Sequence, residues 1–277
     1  MWRFILCAVA LIAADAAAQS GPGVAELGRA RSNGMGGAFR ALGGGTEAVE
    51  GSPAALAVYR RYLIELGGAW DPRNPYGFGS VSVMDSVTSP LAAGLSYTLL
   101  SLGEGDTARV AHINTGAFSI PFGEIFHIGA SMRHILMTGS RSANALTGDA
   151  GLLLRFGPLT IAGAGHNLID ISNEDFPRHF SAGLGFTLPI FSVAVDGRGY
   201  FQGDEPIYSF AGGGEFIIAR MFPVRAGYSH DNFRGARTVT GGAGVFIQNG
   251  AVDLAYAHEL GGSFSRMLSI TFRMQVQ

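Results

Sequence analysis

Residues 178–201 read RHFSAGLGFTLPIFSVAVDGRGYF. In the first half every second residue is apolar: Phe180, Ala182, Leu184, Phe186 and Leu188. Between them stand Ser181, Gly183, Gly185 and Thr187. Pro189-Ile190 turns the chain, and the pattern resumes with Phe191, Val193 and Val195 on one face. The other face holds Ser192, Ala194, Asp196, Arg198 and Tyr200. A period of two is the strand signature, because successive side chains point to opposite faces of a sheet. Here one face offers only hydrocarbon, while the other offers hydroxyls, glycine and both signs of charge.

The same pattern extends in both directions. Segments 60–70, 77–86, 91–102, 109–120, 125–137, 147–157, 159–168, 178–188, 190–201, 207–217, 221–230, 236–248, 249–259 and 264–274 all alternate, which makes fourteen. Most exceed the ~5–6 residues of a soluble strand and match the ~9–11 that cross a bilayer at a tilt. Their connections alternate too. One set is tight: Pro121-Phe122-Gly123, Gly157-Pro158, Pro189-Ile190, Ala219-Arg220 and Asn249-Gly250. The other is longer and polar: 71–76, 103–107, 138–146, 169–177, 203–206 and 230–235. Tight turns at one end and long loops at the other mark transmembrane barrels. Asn249-Gly250 is expected to form a type I′ turn, with Gln248 opposite Ala251, Ile247 opposite Val252 and Val245 opposite Leu254.

Composition narrows the class. Charged residues make up 14% of 277, glycine contributes 42, net charge is −2 and every one of the 19 basic residues is Arg. Mean hydropathy is +0.25 and the pI about 6.4. Such a chain is too apolar for disorder and carries no basic run for nucleic acid. Residues 1–19 read as an export signal: Arg3, an apolar run from Phe4 to Ala14, and Ala16-Ala17-Ala18 as a cleavage site. The one cysteine, Cys7, lies within it, leaving neither disulfide nor thiolate metal site afterwards. No later stretch offers 18 consecutive apolar residues, so helices do not span a bilayer here.

Alternation alone does not say which face meets lipid. The export signal, the strand length and the loop asymmetry together turn the apolar face outward. Arg133, Arg155, Asp196, Arg198, Glu215, Arg225 and Asp253 then line the interior, with Glu215 diagonally near Arg225. A lipid-facing Arg at mid-depth would cost roughly 2–4 kcal/mol, whereas a lumen tolerates it. These charges read either as a structural network or as a substrate path. Tyr62, Trp70, Phe201, Tyr208, Phe222, Tyr228 and Phe264 fall at strand ends, where aromatic girdles form.

Residues 20–58 lack alternation and are rich in small side chains. Within them, Gly34-Met35-Gly36-Gly37-Ala38-Phe39 and Ser52-Pro53-Ala54-Ala55-Leu56-Ala57 resemble the N-terminal segment of the PorV/PorQ-like and FadL-like outer-membrane barrels. That family carries Gly-Met-Gly-Gly-Ala-Phe and then Asn-Pro-Ala-Gly-Leu; Ser52 and Ala55 depart from the second. The resemblance implies an all-β, 14-stranded antiparallel transmembrane barrel (59–277) with an N-terminal lumenal plug (20–58), whose plug residues would be Gly34, Met35, Gly36, Gly37, Ala38, Phe39, Ser52, Pro53 and Ala54. It implies passive transport of hydrophobic small molecules across the outer membrane or, alternatively, a scaffold for exported or surface proteins of a secretion system. Expected partners are outer-membrane lipid and lipopolysaccharide, the barrel-assembly machinery, and a hydrophobic ligand or secretion proteins. Phe272 is the aromatic that the machinery would read, with Arg273 to Gln277 beyond it. The short outer loops leave little room for a lid. Within the plug, Glu47 to Ala57 is expected to be helical, with Thr46 as N-cap and Pro53 interrupting it.

No enzyme site is expected. His179-Phe180-Ser181 places a His and a Ser on one face but lacks an orienting carboxylate. The other histidines stand singly, without metal-ligand spacing, and neither metal nor cofactor is expected.

Overall fold

A computed structural model describes residues 27–201, 205–261 and 265–276. The expected export signal, the start of the expected plug at 20–26 and Phe264 lie outside the described residues. Fourteen strands follow one another round a closed ring, each antiparallel to the next. They are β1 (Tyr62–Asp71), β2 (Tyr76–Asp85), β3 (Ala92–Leu102), β4 (Arg109–Phe122), β5 (Phe126–Gly139), β6 (Ala143–Phe156), β7 (Leu159–His166), β8 (His179–Leu188), β9 (Phe191–Tyr200), β10 (Ile207–Ile218), β11 (Phe222–Asp231), β12 (Ala236–Ile247), β13 (Gly250–Glu259) and β14 (Arg266–Val276). β1 closes on β14 from Tyr62↔Val276 to Trp70↔Leu268, which leaves no open edge. Among the described residues no helix is long and apolar enough to cross a membrane.

Side-chain parity sets the two faces. In β8 the residues Phe180, Ala182, Leu184, Phe186 and Leu188 are exposed, and Ser181, Gly183 and Gly185 are buried. In β9 Phe191, Val193 and Val195 are exposed, and Ser192, Ala194 and Asp196 are buried. Trp70, Phe201, Tyr208, Phe222 and Tyr228 are also exposed on the outside.

Three local readings change. The β12–β13 turn is Gln248-Asn249, because Ile247 pairs with Gly250 and Val245 with Val252. Neither Asn249 nor Gly250 has the positive φ that a type I′ turn demands. That conformation falls instead on Ala219 and Arg220, at φ 51° and 57°, closed by the Met221 N–H on Ile218 O at 3.0 Å. The slip moves the pairing by two residues in sum, so each side chain keeps its face. The polar stretch 138–146 is mostly strand, since Met137 pairs with Ala143 and only 140–142 remain as loop. Strand β14 runs on past Phe272, with Arg273 pairing with Glu65 of β1.

Segment 27–58 packs against the inward-facing side of this wall. It contains α1 (Ala30–Gly34), α2 (Ala48–Gly51) and a 3-10 turn, Pro53–Ala57, with the proline in its first turn. Thr46 does not cap α2; its hydroxyl donates to Glu65 of β1, which out-competes the local cap, and Glu47 takes the N-cap position. Met35, at 0% exposure, packs with Leu42, Ala194 and Ala211. Val49 and Leu56 pack with Leu63, Met84 and Leu153 of the wall. Each such side chain contributes about 1.5–3 kcal/mol on burial. Glycine in the wall permits the approach. A Cβ on Gly213 would sit 2.3 Å from Met35 O, and one on Gly129 would sit 2.4 Å from Ala54 N. A side chain at either site would push the segment away.

Candidate functional site

Around one side of the interior, charges alternate in sign. Arg31 Nη2 lies 3.1 Å from Glu215 Oε1. Arg225 Nε donates to Glu215 Oε2 at 2.6 Å, and its Nη1 donates to Asp253 Oδ1 at 2.7 Å. Arg273 Nη2 lies 3.5 Å from the other oxygen of Asp253, and its Nε donates to Glu65. Glu215 and Arg225 are directly opposite in register rather than diagonal. The Arg225–Asp253 pair reaches across β12, where Gly242 and Gly244 are the register partners of Arg225 and Asp253. A Cβ on Gly244 would come within 2.3 Å of Asp253 Oδ1. Burial of so many charges is tolerated because each is matched and hydrogen-bonded.

The remaining sequence-predicted charges also point inward. Asp196 Oδ2 accepts the N–H groups of Phe39 at 2.9 Å and Arg40 at 3.1 Å, and Arg40 Nη1 at 3.1 Å. Arg133 donates to Asp149 Oδ2 at 3.0 Å, Asn167 Oδ1 at 3.2 Å and Glu50 O at 3.0 Å. Arg198 reaches Asp231 at 3.4 Å and Tyr200 Oη at 3.3 Å. Arg155 donates to Val58 O at 3.2 Å and lies over the Tyr59 ring.

The quoted motif residues all touch this wall or each other. Gly34 sits against Gly242 of β12, and Gly36 donates its N–H to Thr240 Oγ1 at 2.9 Å. Gly36 and Gly37 take φ of +71° and +88°, and Gly43 and Gly44 take +62° and +88°. The five residues Ala38–Leu42 therefore hang between two pairs of left-handed glycines and are latched in the middle by Asp196. Met35 and Ala38 are fully buried, and the Phe39 ring packs over Gly51. Ser52 is buried at the end of α2, Pro53 starts the 3-10 turn, and Ala54 O accepts Ser119 Oγ at 3.0 Å.

Sequence reading missed Glu65, Asp149, Arg273 and the partners within segment 27–58. Parity would have found the first three, since each falls on the inward face of its strand. Burial beside Glu65 pushes the Glu47 carboxyl above its ordinary range.

At the loop end of the barrel an open cavity lies beside Phe39. Its lining includes Arg133, His166, His179, Arg198, Tyr200, Phe233 and Arg234. The loop 167–178 folds over it. Asp175 binds Arg109 through two hydrogen bonds of 2.8 Å, and Phe176 packs among Leu100, Ile113 and Ile135. The connection 167–178 thus lies over this cavity, although the short outer loops were expected to leave little room for a lid. At the turn end a second space is lined by Arg31, Leu42, Gly43, Gly44 and Tyr59. Ala38–Leu42 contributes to the lining of both.

The pairing of a nucleophile with a histidine takes an unexpected form. Ser181 Oγ lies 2.8 Å from His166 Nε2, and His166 Nδ1 lies 3.7 Å from Asp149 Oδ2. Asp149 is committed to Arg133, Ser131 and the Asn167 N–H. Ser181 is buried and outside the cavity lining, so a reacting carbonyl has no place beside it. Among the described residues no group of three His, Cys, Asp or Glu side chains is placed to hold a metal.

No known family profile matches the chain, and no curated protein matches it in sequence. Solved structures do match in fold. The Ralstonia pickettii toluene transporter TbuX aligns over 91% of this chain and 99% of its own, with a TM-score of 0.72 and 13% identity. The Pseudomonas putida toluene transporter TodX aligns over 91% and 97%, with a TM-score of 0.70 and 14% identity. A Pseudomonas aeruginosa FadL homologue aligns over 89% and 97%, with a TM-score of 0.64 and 11% identity. At these identities the likeness is one of fold: the chain is a closed 14-stranded antiparallel barrel of the shape these transporters share.

Proposed function

We propose that this chain is an outer-membrane barrel for passive passage of hydrophobic small molecules, exported by residues 1–19 and plugged by residues 20–58. The observation that carries the reading is an apolar outer face on a closed barrel whose bore holds a glycine-hinged segment with a cavity on either side. Outward Leu95, Phe118, Met132, Leu184, Phe210 and Leu254 would each cost energy in water and gain it in hydrocarbon. The likeness to two toluene transporters supports the same direction.

Passage then requires Ala38–Leu42 to swing on its flanking glycines. The latch is Asp196, and the motion opens the outer cavity to the space at the turn end. Of the seven lumen charges, Arg133, Arg155, Asp196 and Glu215 seat the plug directly, and Arg198, Arg225 and Asp253 pair within the wall. The scaffold alternative needs a broad docking surface at the loop end. The long connection 167–178 instead folds inward over the mouth, and this favours transport.

In planar bilayers the intact protein should show low conductance, and a variant lacking 27–58 should show steady large conductance. Cells carrying the intact protein in their outer membrane should take up labelled toluene faster than cells without it. Large steady conductance of the intact protein would contradict the plug, and unchanged toluene uptake would contradict transport of hydrocarbons.

A further inference from the structure

The outer cavity is poorly matched to a bare hydrocarbon. Four rings from four places in the chain stack in series along it: His166, His179, Tyr200 and Phe233. Their centroids are 4.5 Å apart for His166–His179, 5.1 Å for His179–Tyr200 and 4.5 Å for Tyr200–Phe233. Rings whose faces cover one another meet the cavity with their edges, the positive rim of the aromatic quadrupole. An edge of that kind attracts the face of another aromatic ring and attracts negative charge. It gives an alkyl chain nothing beyond contact.

Most charges along the same wall are spoken for, and the carboxyl of Glu47, which also lines the cavity, is pushed toward its neutral form by burial beside Glu65. Asp175 is held by Arg109, Asp231 by Ser209 and Arg198, and Glu50 by Ser96 and Thr98. Arg133 is held by Asp149. Arg234 differs: it lines the cavity beside Phe233, it is half-buried, and among the described residues its guanidinium has neither ion-pair nor hydrogen-bond partner. A guanidinium that faces the cavity without a partner among these residues is free to receive an anion. His179 adds no second donor for an anion. Its Nδ1 faces Pro177 O at 3.1 Å, a carbonyl that only accepts, so Nδ1 carries the proton and the buried Nε2 is an acceptor without a partner.

We propose that the outer cavity binds a small aromatic carboxylate, its ring against the edges of the His179–Tyr200–Phe233 stack and its carboxylate on Arg234. The inference rests on the transport reading for the ligand's route, but not for its binding. It narrows the cargo from hydrophobic compounds in general to planar acids, which a fork-shaped guanidinium grips through two parallel hydrogen bonds.

The test is calorimetric titration of the full-length protein in detergent with benzoate, cyclohexanecarboxylate and toluene. Benzoate should bind at least about tenfold more tightly than either, since it alone joins a flat ring to a charge. Arg234→Gln should weaken benzoate by about tenfold or more, the scale of one hydrogen bond to a charged group, and leave toluene unchanged. Phe233→Leu, which keeps the cation and removes the ring, should weaken benzoate and leave cyclohexanecarboxylate unchanged. Toluene or cyclohexanecarboxylate binding as tightly as benzoate would overturn the proposal. So would an Arg234→Gln variant that retains its wild-type circular dichroism and binds benzoate undiminished. Toluene uptake by cells separates the two readings: uptake without benzoate binding defeats only this inference, and benzoate binding without uptake of toluene or benzoate defeats only transport.

Discussion

Val195 points out of β9 and is 59% exposed, while the next residue, Asp196, points inward at 2% and accepts three N–H groups from Phe39 and Arg40. The outward neighbour is one of dozens of interchangeable apolar side chains, and what it needs is a medium rather than a partner. The inward one is bound to particular atoms of a segment more than 150 residues earlier in the chain. The outer face of this barrel is therefore specified collectively and the inner face pair by pair. Substitutions on the two faces should accordingly fail in different ways.

The largest effect is expected from Asp196→Ala. It removes the carboxylate that accepts from the Phe39 and Arg40 N–H groups and pairs with the Arg40 guanidinium, and breaking a buried pair in this way costs about 3–5 kcal/mol. Segment 27–58 should become protease-sensitive and bilayer conductance should rise, while Val195→Ala, one residue away, should leave both unchanged. Equal effects from the two would erase the distinction. Next comes Leu184→Arg, on the outward face at mid-strand. At mid-depth in a bilayer it should lower folding stability by roughly 2–4 kcal/mol, measured by denaturant titration in lipid vesicles. The charge itself is no obstacle inside, where Arg198 of the neighbouring strand already sits.

The smallest effect concerns protons. Because Glu47 holds its proton more tightly in the folded state than in the unfolded chain, the native state binds the extra proton as pH climbs past about 4.5. The seated segment is thus most stable below that value and loses stability as pH rises toward the elevated one. Hydrogen exchange of residues 38–50 should quicken over this interval, and Glu47→Gln should flatten the dependence. A pH-independent wild-type profile would mean that Glu47 does not govern seating.

The wall was legible because period-two alternation is redundant. A misread turn at Asn249-Gly250 moved the register of one hairpin, yet no residue of β12 or β13 changed face. All seven charges expected inside do point inward, since parity alone places them. The interior contacts were not legible to the same degree. Nothing local announces that Thr46 prefers Glu65 to its own helix, that Asp196 receives Phe39 and Arg40, or that Phe176 tucks among Leu100 and Ile113. Each is a meeting of residues far apart in sequence, and short-range pattern carries no record of it. The turn at Ala219-Arg220 was legible from the alternation on either side of it, but its left-handed conformation was not: neither residue type favours a positive φ, and the flanking register imposes it.

Gly244 gives these pairings a consequence for how the ring is made. Arg225 of β11 grips Asp253 of β13 over a rung that bears no side chain, so the ion pair joins a strand to its next-but-one neighbour. Backbone ladders are indifferent to which strand they zip with; this bridge is not. A cylinder closed with β12 out of register would pull this bridge apart, leaving Arg225 to Glu215 alone and Asp253 to Arg273 alone. Chemistry inside the tube thereby proofreads the strand order that hydrogen bonding alone would accept.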